Sequence, residues 1–68
     1  MDKREIGKTL AALRKERGET LEDVAKAVGT TYGAISMYEA GARVPRDAIK
    51  KKLSQHFGVS VEQIFFAD

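Results

Sequence analysis

A lone glycine between two short amphipathic runs constrains this chain most. Gly29 separates Thr20–Val28 from Thr31–Glu39, and each run starts at a threonine. Thr20 with Asp23 forms a capping-box pattern that uses the shorter acid. Val24, Ala25 and Val28 then fall on one helical face. Gly29 sits where a helix C-terminus calls for a left-handed residue, which glycine adopts without steric cost. Thr31 is suited to cap the next helix, in which Ile35 and Tyr38 face inward. Ala25 is small where a larger side chain would push the two helices apart. This predicts two helices crossing closely, with Tyr32, Gly33, Ser36 and Met37 left on the outer face of the second. A helical hairpin in an ordinary small bundle satisfies the same spacing.

The flanking segments continue the helical pattern. Asp2–Arg17 reads as a first helix with a stripe of Ile6, Leu10 and Leu13, ended by Gly18. A loop from Ala40 to Val44 begins with Gly41 as a C-cap. Pro45, the only proline, is expected at the first position of a fourth helix, where a missing N–H costs nothing. That helix turns Ala48 or Ile49, Leu53 and Phe57 inward, and Gly58 stops it. Ser60 with Gln63 is a second capping box, and Val59 with Ile64 fits a hydrophobic staple. The final helix is expected at about Val61 to Phe66. There is no strand signal, so the reading is a compact all-α fold of five helices, with residues 1–68 as a single domain.

Size and composition narrow the function. A core built from 68 residues rarely supplies more than roughly 3–5 kcal/mol without help. With no cysteine, neither disulfides nor a Cys-based zinc site adds to that, so helix packing or dimerisation must. No apolar run approaches the roughly 20 residues that span a bilayer, and Met1 to Glu5 does not lead into a signal-peptide core. A cytoplasmic protein is expected. The formal net charge of +2 permits nucleic-acid binding without demanding it. Acidic residues interleave with the basic groups, so no single basic face is defined. The one histidine, His56, has no evident carboxylate partner and reads as a helix-end rim residue. No nucleophile motif, phosphate-cradling loop or metal-ligand spacing appears, so no enzyme, cofactor, metal or small-molecule ligand is expected.

Taken in order, these segments resemble the phage-repressor type of helix-turn-helix, the XRE family that includes the lambda repressor and Cro. The resemblance runs from Ile6 to Phe65. It rests on Ile6-Gly7-Lys8, Leu13-Arg14, Val24-Ala25, Val28-Gly29, Ile35-Ser36, Tyr38-Glu39, Gly41, Pro45 and Phe57-Gly58-Val59-Ser60. It implies a lambda-repressor-like fold with the helix-turn-helix at about residues 20–39. It also implies a sequence-specific regulator of transcription, a repressor, bound to a palindromic double-stranded DNA operator as a homodimer in a prokaryote or phage. A nucleoid-associated place in the cell follows.

The resemblance also implies roles. Tyr32, Gly33, Ser36 and Met37 stand where base contacts are made, and Thr20, Thr31, Arg43 and Arg46 near phosphates. Arg14 and Glu39 match a structural ion pair; two independent surface charges are the alternative. Phe66 is a candidate dimer contact, because Val61, Ile64 and Phe65 fill the inward face of the last helix.

Two features depart from the pattern. Leu21 stands where the family has a phosphate-contacting Gln, and Glu19 where it has an apolar residue. The recognition face also lacks Arg, Lys, Gln and Asn, the side chains that make bidentate base contacts. Readout through thymine methyl groups and DNA shape is therefore expected. The alternative is a protein-interaction module on the same fold, docking through Tyr32, Met37 and an exposed Leu21.

Overall fold

A computed structural model describes residues 2–66 of the chain. Four α-helices, α1 (Lys3–Glu16), α2 (Leu21–Val28), α3 (Tyr32–Glu39) and α4 (Asp47–Phe57), are followed by a π-helical turn, Glu62–Phe66. Among the described residues there is no strand.

Local chemistry sets most of these boundaries. The Asp2 carboxylate accepts from the Glu5 N–H at 2.9 Å and opens α1. Thr20 and Asp23 cap α2 reciprocally: Thr20 Oγ1 accepts from the Asp23 N–H at 3.0 Å, and Asp23 Oδ2 accepts from the Thr20 N–H at 2.8 Å. Gly29 ends α2 with φ 73°, and the next N–H, Thr30, closes back on the Ala25 carbonyl at 2.9 Å. Thr31 Oγ1 accepts from the Ala34 N–H at 3.1 Å and opens α3.

Two boundaries differ from the sequence expectation. Pro45 does not begin α4. It is buried ahead of the helix, Arg46 is the extended N-cap, and Asp47 is the first helical residue. Arg46 supplies no side-chain cap, so no local signal marks that start. The last helix is not a plain α-helix either. After Val61 the chain widens into the π-helical turn, and the adjacent residues Ile64 and Phe65 both face the core. The Ser60–Gln63 capping box ahead of it is present, with Ser60 Oγ accepting from the Gln63 N–H at 3.1 Å.

The core draws on every element: Ile6 and Leu10 from α1, Val24, Ala25 and Val28 from α2, Ile35 and Tyr38 from α3, Leu53 and Phe57 from α4, and Ile64 and Phe65 from the last turn. Leu13, expected in the buried stripe, is only half-buried at its margin. Ile49, rather than the exposed Ala48, packs inward from α4. Leu21 is not exposed; it is half-buried and packs on the core.

α1 and α3 approach closely at Gly7. A Cβ built on Gly7 would meet the Glu39 carbonyl oxygen, the Tyr38 oxygen at 2.7 Å and the Glu39 carbon at 2.9 Å. All three are backbone atoms, so α1 and the end of α3 touch through main chain. Glycine within a helix is otherwise destabilising. Here it lets α1 brace the C-terminal end of α3.

Candidate nucleic-acid interface

The outer face of α3 carries Tyr32, Gly33, Ser36 and Met37. Tyr32 is 58% exposed and Met37 43%, both high for large apolar side chains. Gly33 is exposed, whereas Ser36 is half-buried. Ile35 and Tyr38 turn inward and hold the helix against α1 and α2. The exposed face bears no formal charge, and the first turn of α3 contains no acid. The N–H groups of Tyr32 and Gly33 have no partner among the described residues, as expected for a first turn.

Beside this N-terminus lies a cleft of about 310 Å³. Thr30, Thr31, Ala34, Arg43 and Arg46 line it, with Tyr38, Val44 and Ile49. Both arginines are exposed. The loop after α3 thus carries two cations to the end of the helix where the peptide dipole is also positive. Thr31, Arg43 and Arg46 come together here although they are far apart in the chain.

Thr20 is placed differently. Its N–H is already held by Asp23, and the first turn of α2 carries Glu22 and Asp23. Its hydroxyl and the following N–H groups are what remain for an anion. The Asp23 pKa is lowered from the ordinary aspartate value, first by the backbone N–H of Thr20 and then by its hydroxyl, so the cap is charged at neutral pH.

A charged network fixes α3 from behind. Arg14 Nε donates to Glu39 Oε2 at 2.7 Å, and Arg14 Nη2 to Glu39 Oε1 at 3.0 Å. A third bond runs from Arg14 Nη1 to the Glu19 carbonyl at 2.9 Å. The pair is largely buried, with side chains 14% and 13% exposed. The hydrogen bonds to Glu39 raise the Arg14 pKa above its ordinary value; burial opposes this, and the Glu39 charge adds to the rise.

His56 does have a carboxylate partner. Its Nε2 lies 2.9 Å from both oxygens of Glu19, which also accepts from Arg17 Nε at 3.0 Å. Glu19 therefore fills the site of an apolar residue by joining α4 to the α1–α2 corner. A separation of 37 residues hides this contact from any local pattern.

Phe66 is 60% exposed. The Lys50 ammonium sits 5.0 Å from its ring centroid, a cation–π distance. With Asp47, Lys51 and Val61, these two residues line a cleft of about 290 Å³ on the side of the π-helical turn.

α3 is thus held from behind by main chain and a bidentate ion pair, faces outward in front and is flanked by cations. The helix-turn-helix family model matches residues 10–64. The chain belongs to that family, in its phage-repressor (XRE) branch. Solved structures share the fold. The restriction-modification controller protein C.AhdI from Aeromonas hydrophila aligns with a TM-score of 0.84 at 22% identity, over 91% of this chain and 94% of that one. The clp gene regulator ClgR from Corynebacterium glutamicum aligns at 0.83 and 24% identity, over 91% of this chain and 66% of that one. No curated protein matches the sequence. The family makes this a DNA-binding transcriptional regulator domain. Among the described residues, no helix is long and apolar enough to cross a membrane.

Proposed function

We propose that the chain is a sequence-specific repressor, a single domain over residues 1–68, that lays α3 in the major groove of a palindromic operator as a homodimer. The observation that carries this is the uncharged, outward face of α3 next to the cleft of Thr31, Arg43 and Arg46. In this reading Tyr32, Gly33, Ser36 and Met37 meet base edges, while Thr31, Arg43 and Arg46 hold phosphates. Thr20 takes a further phosphate through its hydroxyl, with Glu22 and Asp23 weakening that contact. The protein works in the cytoplasm, on prokaryotic or phage DNA.

Size supports the dimer. The principal extents are 28 × 23 × 22 Å, smaller than the roughly 34 Å between major-groove half-sites one turn apart. One copy therefore covers one half-site, and a second is needed to read the other. Phe66 is the proposed contact between copies, because a ring so exposed at the edge of the core gains from burial.

Two substitutions test the division of labour. Arg43→Ala is expected to weaken binding on every duplex alike and to lower the salt slope by about one. Met37→Ala is expected to weaken binding only where a thymine stands opposite it. Equal loss on all sequences from Met37→Ala contradicts the assignment.

A second reading has one observation in its favour, the exposure of Tyr32 and Met37, which together could dock another protein. Leu21, packed on the core, adds little to such a patch. Adding duplex DNA and following backbone amide shifts separates the two: shifts at Thr31 to Met37 favour the groove, and their absence favours the protein partner.

A further inference from the structure

Gly33 has no structural reason to be glycine. Four of the six glycines, Gly18, Gly29, Gly41 and Gly58, have positive φ. Gly7 is held against the backbone of Tyr38 and Glu39. Gly33 has no positive φ, and among the described residues the one atom found within 4 Å of a Cβ built there is Thr31 Oγ1, at the limit of that range, 4.0 Å. An alanine fits without displacing anything and favours the helix. What the missing side chain leaves open lies outside the chain, on the face of α3 that carries Tyr32 and Met37.

We infer that Gly33 sets how closely α3 approaches the groove floor, and that a thymine 5-methyl occupies the space a side chain would fill. This rests on the proposed function and names what that face reads. The neighbouring exposed side chains are apolar or weakly polar, and none forms a bidentate pair with a base. The thymine methyl is the apolar group that the major groove displays. Packed on the Gly33 Cα, with Met37 one turn further along, it gives selectivity without a hydrogen bond. An alanine at this position and a thymine methyl cannot share that space unless the helix withdraws.

The test crosses Gly33→Ala with removal of the methyl. The probe is a duplex that the wild-type protein selects from a random library, in thymine form and with deoxyuridine at single positions. Gly33→Ala is expected to bind the thymine duplex about tenfold more weakly, the scale of one mismatched base pair. At one deoxyuridine position that loss is expected to shrink to about threefold or less. The variant's melting temperature is expected to equal or exceed that of the wild type, which separates lost contact from lost fold. Binding by Gly33→Ala within about twofold of wild type, or a loss unchanged by every deoxyuridine, overturns the inference while leaving DNA binding intact. A lower melting temperature overturns it too, because the glycine then serves the fold. If the wild type selects no duplex, the functional reading fails and this inference falls with it.

Discussion

Replacing Gly7 with alanine tests the way α1 braces the end of α3. The added Cβ would stand 2.7 Å from the Tyr38 oxygen and 2.9 Å from the Glu39 carbon, distances that real Cβ atoms do not adopt. The obstructing atoms are backbone and cannot rotate away, so α1 and α3 must separate. Overpacking of this kind costs about 1–3 kcal/mol, and a clash with main chain belongs at the upper end. Alanine offsets about 1 kcal/mol through helix propensity. The net loss is about 2 kcal/mol, a large part of what a core this small supplies. For a domain of this size, that lowers the melting temperature by roughly 8–16 °C. Thermal and urea denaturation followed by far-UV circular dichroism measures it. Gly33→Ala is the internal control, since it adds the same methyl to a helix where nothing obstructs it. A Gly7→Ala protein as stable as the wild type would refute the reasoning, because the close approach would then bear no load.

Two further stability predictions follow from the charged groups. A double-mutant cycle on Arg14→Ala and Glu39→Ala is expected to give a coupling of about 1.5–3 kcal/mol, as for charge-assisted hydrogen bonds away from solvent. A coupling below about 0.5 kcal/mol would class the pair with exposed ion pairs. Arg14→Ala is expected to cost more than Glu39→Ala, since it also loses the bond to the Glu19 carbonyl. For Asp23, the folded pKa is depressed, so its stabilisation is complete above the ordinary aspartate pKa of about 3.9 and is lost as pH falls below that value and through the lower folded pKa. Asp23→Ala should therefore be less stable than wild type at neutral pH, with the difference closing in acid; a difference independent of pH contradicts the cap assignment.

The parts of this fold legible in the sequence are those decided within a few residues. The Thr20–Asp23, Thr31 and Ser60–Gln63 caps are i to i+3 contacts, and Gly29 and Gly58 end helices through their own φ. Inward faces follow from helical period, as at Val24, Ala25, Val28, Ile35 and Tyr38. The missed features depend on where distant segments meet. Gly7 lies in register with the buried stripe of Ile6 and Leu10, and a glycine inside that pattern is the clue to a close contact. Which backbone it meets depends on how α3 crosses. The His56–Glu19 contact joins α4 to the α1–α2 corner, and neither residue carries a local mark of the other. The start of α4 is not legible locally, because Pro45 suits both the first helical position and the residue before a cap, and burial decides between them. The site was legible as a set of outward positions on α3. The gathering of Arg43 and Arg46 beside Thr31 came from the path of the loop.

The most direct test of the account is selection of binding sites by the purified protein from a random duplex library. The account predicts an enriched palindrome with half-sites about one helical turn apart and thymines at the positions facing α3. Recovery of no preferred sequence, with binding that disappears at moderate salt, would leave only non-specific electrostatic attraction and contradict the reading of α3 as a recognition helix.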